Sequence, residues 1–404
     1  MLLYWIWLAQ MSKVSAHMKQ KLLQHFRDPE DIYYAEEPAF AQISGLTEEG
    51  LADLLEKDLT QAQSILDACK EKNIQLLTYS DRQYPVRLRN IYDPPMVLYF
   101  TGMLPDWDDV PMIGVVGTRK ATVYGLNTAK RFGSQICACG ALVVSGGANG
   151  IDSMAMEGAL EAGGPVVCVL GCGVDVVYPA NNRQLFSKVA TNGCLVSEYP
   201  PGEKALPWHF PLRNRIITGM CNGLLVVEAP EKSGALISAA HALEQGRDVF
   251  VVPGNVDVEA CSGSNALLDE AVAALSGWHV VRQYEHQYPG KVRRQEFPKA
   301  AQYPQTMVAQ QQVYPEKADT QNQAHDKKSI DKSQKSTYSV VNNLVSALSQ
   351  QEQLVFARIG TEGCTVDDLI GNTELPPATV KSILTKLTIK GLVRNLPGGR
   401  VAAK

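Results

Sequence analysis

Hydrophobic and polar positions divide the chain into four stretches of different periodicity. Residues 1 to about 75 carry short amphipathic segments of helical spacing. They start with the apolar run MLLYWIWLAQ, continue through 21–26, and are punctuated by Pro29 and Pro38. Pro94-Pro95 then precede the apolar run 96–100, the pattern of a fixed turn feeding a strand. From Met112 short, nearly continuous apolar runs recur: MIGVVG (112–117), ALVVSGG (141–147), PVVCVLG (165–171), CLVSEY (194–199), GLLVVEA (223–229) and DVFVVPG (248–254). Segments of helical period, such as 126–139 and 235–245, lie between them. Runs that are apolar at consecutive positions have no solvent face, so strands of this kind alternating with helices predict a mostly parallel sheet covered on both sides. The fold class is therefore α/β: a doubly wound, Rossmann-like domain over residues 76–285, behind an N-terminal helical domain over 1–75.

Residues 286–340 are rich in Gln, Lys, Pro and Ser and poor in aliphatics. Such a stretch buries too little to offset its ordering entropy, and it predicts a disordered linker. Periodicity returns over 341–404. A helix through Leu354-Val355-Phe356 precedes Thr365–Ile370, and Pro376-Pro377 open a helix carrying Val380, Ile383, Leu384 and Leu387. LVRNL, Pro397-Gly398-Gly399 and RVAAK then form a hairpin, which together predicts a winged helix. Residues 376–404 hold Lys381, Lys386, Lys390, Arg394, Arg400 and Lys404 and no acid. That pattern suits a DNA-reading helix and wing, and equally the solvated face of a protein-binding domain.

Bulk composition narrows the chemistry. At 404 residues the chain has room for two or three domains at about 150 residues each. Its 38 Lys and Arg against 42 Asp and Glu give a net charge of -4, so a nucleic-acid site has to be a local patch. The nine cysteines are scattered, with no C-x-x-C pair. They read as reduced, buried thiols of a cytoplasmic protein, with neither a disulfide framework nor a metal site. The opening apolar run lacks a basic leader and a small-residue cleavage site, and no run approaches the ~18 apolar residues of a membrane span.

The ends of the predicted strands concentrate small, polar and basic residues. The first turn, Gly114-Val-Val-Gly117-Thr118-Arg119, is not G-x-G-x-x-G, and the second strand ends Ser145-Gly146-Gly147 with no acid to hold a ribose. A dinucleotide cofactor is therefore disfavoured, and no cofactor is expected. Arg119 instead offers a fork-shaped donor suited to phosphate. A plainer role for Arg119 is pairing with Asp152 to hold the turn. Phe210-Pro-Leu-Arg213-Asn214-Arg215 brings further cations to the same sheet edge. Trp208 and Phe210 beside them suit base stacking or simple lid packing. Asp152 and Asp175 at strand ends read as helix caps or loop holders, not catalytic acids.

Taken in order, GTR at 117–119, SGGANGID at 145–152, LGCGVDVVYPANN at 170–182, SEYPPG at 197–202, FPLRNRIITG at 210–219, VVEAPEKSGALISA at 226–239, VPG at 252–254 and GSNALL at 263–268 resemble the successive blocks of the DNA-processing-protein-A (DprA/Smf) family. The resemblance spans roughly 91–281. It implies a single-stranded-DNA-binding recombination mediator of natural transformation, a homodimer that loads the RecA recombinase, and no enzymatic activity. Strand-end position and resemblance together nominate Gly117, Thr118, Arg119, Gly146, Gly147, Arg183, Arg213 and Asn214 as DNA contacts. The resemblance alone places a dimer surface at Leu267 and Leu268.

This chain departs from the family pattern at three places. Met156 stands where the family often has His, which removes a candidate acid/base. Val14–Met18 lacks the G-x-G turn of the family's SAM or helix-hairpin-helix-like N-terminal domain, so no phosphate contact is assigned there. Ala271-Val272 replaces Gly-Ala, which predicts that the preceding helix runs on. The alternative function is a nucleotide-processing enzyme of the lysine-decarboxylase-like phosphoribohydrolase type. That family resembles PGGxGTxxE at a strand end, a pattern that neither SGGANGID nor EAPEKSGALIS contains.

Overall fold

The computed structural model describes residues 1–295 and, further on, 350–359, 364–373, 375, 379–380, 383–384, 387, 393–396 and 400–403. The chain divides into two units, Met1–Gln305 and Thr306–Lys404.

The first unit is built on nine strands: β1 (Gln75–Thr78), β2 (Val97–Gly102), β3 (Met112–Val116), β4 (Leu142–Ser145), β5 (Val166–Val169), β6 (Gly193–Ser197), β7 (Gly223–Val226), β8 (Asp248–Val251) and β9 (Val272–Ala273). Their order is β1-β2-β6-β5-β4-β3-β7-β8-β9. β3 to β9 form a parallel array, and β1 and β2 extend it antiparallel beyond β6. The six runs expected as strands are β3 to β8. They are apolar throughout because both faces are covered: Ile113, Val115, Val143, Val166 and Cys168 face one core, while Met112, Val144, Val167 and Val169 face another. Helices Val123–Ala138, Ile151–Glu161 and Arg183–Thr191 pack on the first face, and helix His209–Met220 on the second. The chain leaves β3 in one direction for β4, β5 and β6 and returns on its other side for β7 and β8. The crevice at this reversal lies between the carboxyl ends of β3 and β7, where doubly wound sheets bind ligands.

The N-terminal helices pack onto this sheet. Trp5, Trp7, Leu22, Ile32 and Leu54 share a core with Met96, Val97 and Tyr99 of the β2 segment and with Val174. Pro29 opens its helix at the first position, and Asp28 caps it by accepting from Glu30 N and Asp31 N. Lys72 pairs with Asp175 at 2.6 Å, and Asp175 also accepts from Gly202 N at 2.8 Å. Partial burial pulls the Asp175 carboxyl upward, but the Lys72 ammonium and the Gly202 N–H outweigh it and hold the group below its ordinary range. A depressed carboxyl supplies stability above its unfolded pKa and loses it as pH falls through the folded one. Asp175→Asn is therefore expected to lower the urea midpoint at neutral pH, with the deficit vanishing as the pH drops below the ordinary carboxylate range. A deficit that keeps its size below that range counts against the pair.

Two boundaries differ from expectation. The fold of the first unit passes residue 285. Tyr288 and Val292 are buried in its core, Tyr288 Oη accepts from Arg87 Nη1 at 2.6 Å, and Arg293 N donates to Cys139 O. The average composition of 286–340 hides these two apolar anchors. Residues 296–340, most of the expected linker, and 341–349, the start of the expected winged-helix domain, lie outside the described residues. At the second boundary the helix does not run on past Ala271. A single 3-10 turn, Leu267–Asp269, leads into β9, whose Val272 and Ala273 pair with Phe250 and Val251 of β8. Backbone pairing along the open edge of β8 outweighs the missing glycine. Leu267 and Leu268 are half-buried against the core formed by β7, β8 and helix Gly234–Glu244.

In the second unit, helix Gln350–Arg358, helix Val366–Thr373 and three antiparallel strands, Cys364–Thr365, Arg400–Ala403 and Val393–Leu396, surround a core of Val355, Leu369, Val380, Leu387, Val393 and Val401. This is the expected winged helix. Thr365 and Asp368 cap its second helix reciprocally, with Thr365 N donating to Asp368 Oδ2 and Asp368 N to Thr365 Oγ1. Lys381, Lys386, Lys390 and Lys404 lie outside the described residues. Seven of the nine cysteines are buried.

Candidate nucleic-acid interface

The crevice at the sheet reversal is an open cavity of about 530 Å³. The β3 turn supplies Gly117, Thr118, Arg119 and Lys120, the helix after β6 supplies Phe210, Arg213 and Asn214, and the loop after β7 supplies Lys232, Ser233 and Gly234. A smaller cavity of about 50 Å³ adjoins it, lined by Arg119, Gly146, Gly147, Asn149, Tyr178 and Phe210. Arg119 and Phe210 line both, and the Arg119 guanidinium lies 5.4 Å from the Phe210 ring centre.

The charged groups fall into two classes. Arg119, Lys120 and Lys232 are exposed, and none makes an ion pair among the described residues. The expected alternative, an Arg119–Asp152 pair, is thus not formed. Arg213 and Asp152, by contrast, are buried. Arg213 Nη1 donates to Gly146 O at 2.8 Å and closely to Val169 O, and Nε donates to Asn214 Oδ1 at 3.3 Å. Asp152 Oδ2 accepts from Gly146 N at 3.1 Å and Ala148 N at 3.4 Å. Burial pushes the Asp152 carboxyl up, against the opposing pull of the Arg213 charge and the two N–H donors. Arg213 is thus part of the floor, where the sequence reading placed it on the surface as a strand contact. With Arg213 and Asp152 offsetting each other, the exposed cations leave the cavity positive although the chain is net negative.

The glycines also serve the interior more than expected. Gly147 sits at φ +69, and a Cβ there would lie 2.8 Å from Cys168 Sγ and 2.9 Å from Phe186. A Cβ at Gly146 would lie 2.6 Å from Arg213 Nη2 and 2.9 Å from Asp152 Oδ2. They let the turn close over Arg213, and their backbone still lines the smaller cavity. Asn182 braces this turn, its Nδ2 donating to Gly147 O and Ser153 Oγ, both at 2.8 Å.

The other nominated residues divide. Thr118 is buried; its N–H donates to Glu228 O and its hydroxyl accepts from Lys120 N, so only part of the turn stays free for an anion. Asn214 lines the larger cavity and donates to Gly234 O. Arg183 is exposed at the start of its helix but lines neither cavity. Sequence reasoning passed over Lys120 and Lys232, which only the fold brings opposite each other. It also passed over Glu228, which accepts from Thr122 N at 2.9 Å and Thr122 Oγ1 at 2.6 Å and anchors the start of helix Val123–Ala138. A carboxylate at the end of an apolar strand run was the available signal. Trp208 is 61% exposed and lines neither cavity, whereas Phe210 is central to both.

Comparison with known proteins agrees with this architecture. The sequence profile of DNA recombination-mediator protein A matches residues 75–285, and that of the DprA winged helix domain matches residues 343–399. Protein Smf of Synechocystis sp. is 37% identical over 280 residues, covering 67% of this chain and 69% of that protein. DNA processing protein DprA of Bacillus subtilis is 40% identical over 225 residues, covering 56% and 76%. The crystal structure of DNA processing protein A from Streptococcus pneumoniae superposes with a TM-score of 0.62 at 31% identity, covering 70% of this chain and 98% of that one. Since one profile spans more than half of the sequence and a relative matches over two thirds of its own length, the chain belongs to the DNA recombination-mediator protein A family, the DprA/Smf proteins.

Proposed function

We propose that this chain binds single-stranded DNA in the strand-end groove and acts as a recombination mediator in natural transformation, loading RecA onto the incoming strand. The observation that carries the reading is the pairing of free cations with an accessible ring. Arg119, Lys120 and Lys232 can track phosphates while Phe210, with Tyr178 at 5.5 Å, offers aromatic surface to unstacked bases. A duplex keeps its base faces stacked inside, so this combination favours single strands. The deciding experiment is competition between single- and double-stranded DNA of one length for the full chain. Preference for the single strand supports the reading, and equal affinity overturns it. Lys232→Ala is expected to flatten the plot of log affinity against log salt by about 0.7 without altering sequence preference. An unchanged slope removes Lys232 from the path.

The proposal includes action in the cytoplasm, without turnover and as a homodimer. Met156 is buried where an acid/base was sought, and Asp152 is engaged with the turn. Steady release of free base from a nucleoside monophosphate, abolished by a change in the groove, would instead support the phosphoribohydrolase reading. RecA loading requires that the protein shorten the lag of RecA assembly on single strands, and an unaltered lag removes that function. Leu268→Glu is expected to halve the sedimentation mass. A dimer of unchanged mass takes Leu268 out of the interface.

A further inference from the structure

A separate cleft of about 110 Å³ lies away from the groove, where the N-terminal helices meet the sheet. Ala9, Ala16 and Lys19 line it from the helical side, and Pro95, Glu198 and Arg215 from the other. Lys19 is only 8% exposed, yet its ammonium has one hydrogen bond, to Ala9 O at 3.0 Å. Arg215 is satisfied on two of its three nitrogens, Nε by Asp93 at 2.7 Å and Nη2 by Glu198 at 2.7 Å. Its Nη1 is buried and has no partner.

Two cationic side chains with unused donors thus share one cleft, and a buried donor left without a partner is unfavourable. Of the charges here, Lys19 is buried, Arg215 and Glu198 are half-buried, and Asp93, well exposed, pairs with Arg215 from the rim. Both carboxylates are engaged with Arg215, so Lys19 has no ion pair among the described residues and its charge is offset only at a distance, by Asp53 and Glu198. A water molecule would fill a donor's need but not this charge, whereas one small anion meets both.

We propose that this cleft is a binding site for a small monovalent anion of the halide or nitrate class, held between Lys19 Nζ and Arg215 Nη1. The Glu198 carboxylate lines the same cleft, but its Oε2 is committed to Arg215 Nη2. Burial holds the Lys19 ammonium down to about 8 in the empty site, against the favourable pull of Asp53 and Glu198. A bound anion relieves that burial. Arg215 lies on the helix that carries Phe210, Arg213 and Asn214, so occupancy would tie the N-terminal helices to the floor of the groove.

The test is crystallographic and thermal, on the full chain. Crystals grown in bromide should show an anomalous peak within hydrogen-bonding distance of Lys19 Nζ and Arg215 Nη1, and its absence at saturating bromide overturns the proposal. In solution, bromide or nitrate should raise the melting midpoint over gluconate at constant ionic strength, because a ligand of the native state stabilises it by mass action. The rise should disappear in Lys19→Met. It should also fade as pH passes about 8 and Lys19, facing Asp53, Glu198 and Arg215, loses its proton. A rise of the same size in Lys19→Met is a general salt effect and counts against the site. Should that variant fail to fold, the bromide peak in the unaltered chain decides.

Discussion

Arg213→Ala is expected to lower the stability of the first unit by about 3–5 kcal/mol, the range for leaving a buried charge uncompensated; Arg213 and Asp152 make no direct ion pair but attract through space. Three losses combine. Gly146 O and Val169 O lose their shared donor, Asn214 Oδ1 loses the Nε hydrogen bond, and the Asp152 carboxylate is left buried without its cation. Lysine is no substitute, because a single ammonium cannot reproduce the planar fork that serves these acceptors in different directions. The pH dependence identifies the mechanism. Burial already pushes the Asp152 carboxyl up, and without Arg213 the largest opposing influence is gone. A carboxyl raised in the folded state contributes stability that is present below the unfolded pKa and lost as pH rises through the folded one. The deficit of Arg213→Ala should accordingly be greatest at neutral pH and shrink on acidification, measured as the urea midpoint at two pH values. A variant with the wild-type midpoint and weakened DNA binding would return Arg213 to the role of a direct strand contact.

Arg213 also shows what the sequence could and could not reveal. Parallel strands buried on both faces have a one-dimensional signature, unbroken apolar runs, so β3 to β8 were legible from Met112 to Gly254. A rule about doubly wound sheets pointed to the carboxyl ends of the strands, and the turns after β3 and β7 line the larger cavity there. Burial of a particular polar side chain has no such signature. Arg213 and Arg215 read as cations gathered at the sheet edge, but both side chains are largely withdrawn from solvent. One serves backbone carbonyls and the other joins Glu198 to Asp93. Lys120 and Lys232 were missed for the complementary reason: they are separated by more than a hundred residues, and only the crossover brings them to one rim. Tyr288 and Val292 were lost to averaging, since two anchors in a polar stretch barely change its composition while each fills a place in the core.

Arg119→Ala is expected to weaken single-strand binding by about 1–3 kcal/mol, roughly 5- to 150-fold, while leaving the folding midpoint unchanged. The two effects separate because Arg119 is exposed, makes no ion pair among the described residues, and touches the fold chiefly through the Phe210 ring. An exposed cation–π contact supplies only about 0.5–1 kcal/mol. Much of that is recovered when solvent replaces the guanidinium. A phosphate contact carries no base information, so poly-dT and mixed-sequence strands should lose affinity equally. The plot of log affinity against log salt should also flatten by about 0.7 for each phosphate released. Loss of Phe210 would behave differently: a lost stacking surface weakens binding but leaves the salt slope intact. Comparing Arg119→Ala with Phe210→Ala therefore distinguishes the two halves of the site by slope alone. Arg119 is not a phosphate contact if its removal leaves both affinity and slope at wild-type values, and it is a structural prop if the folding midpoint falls while the slope stays.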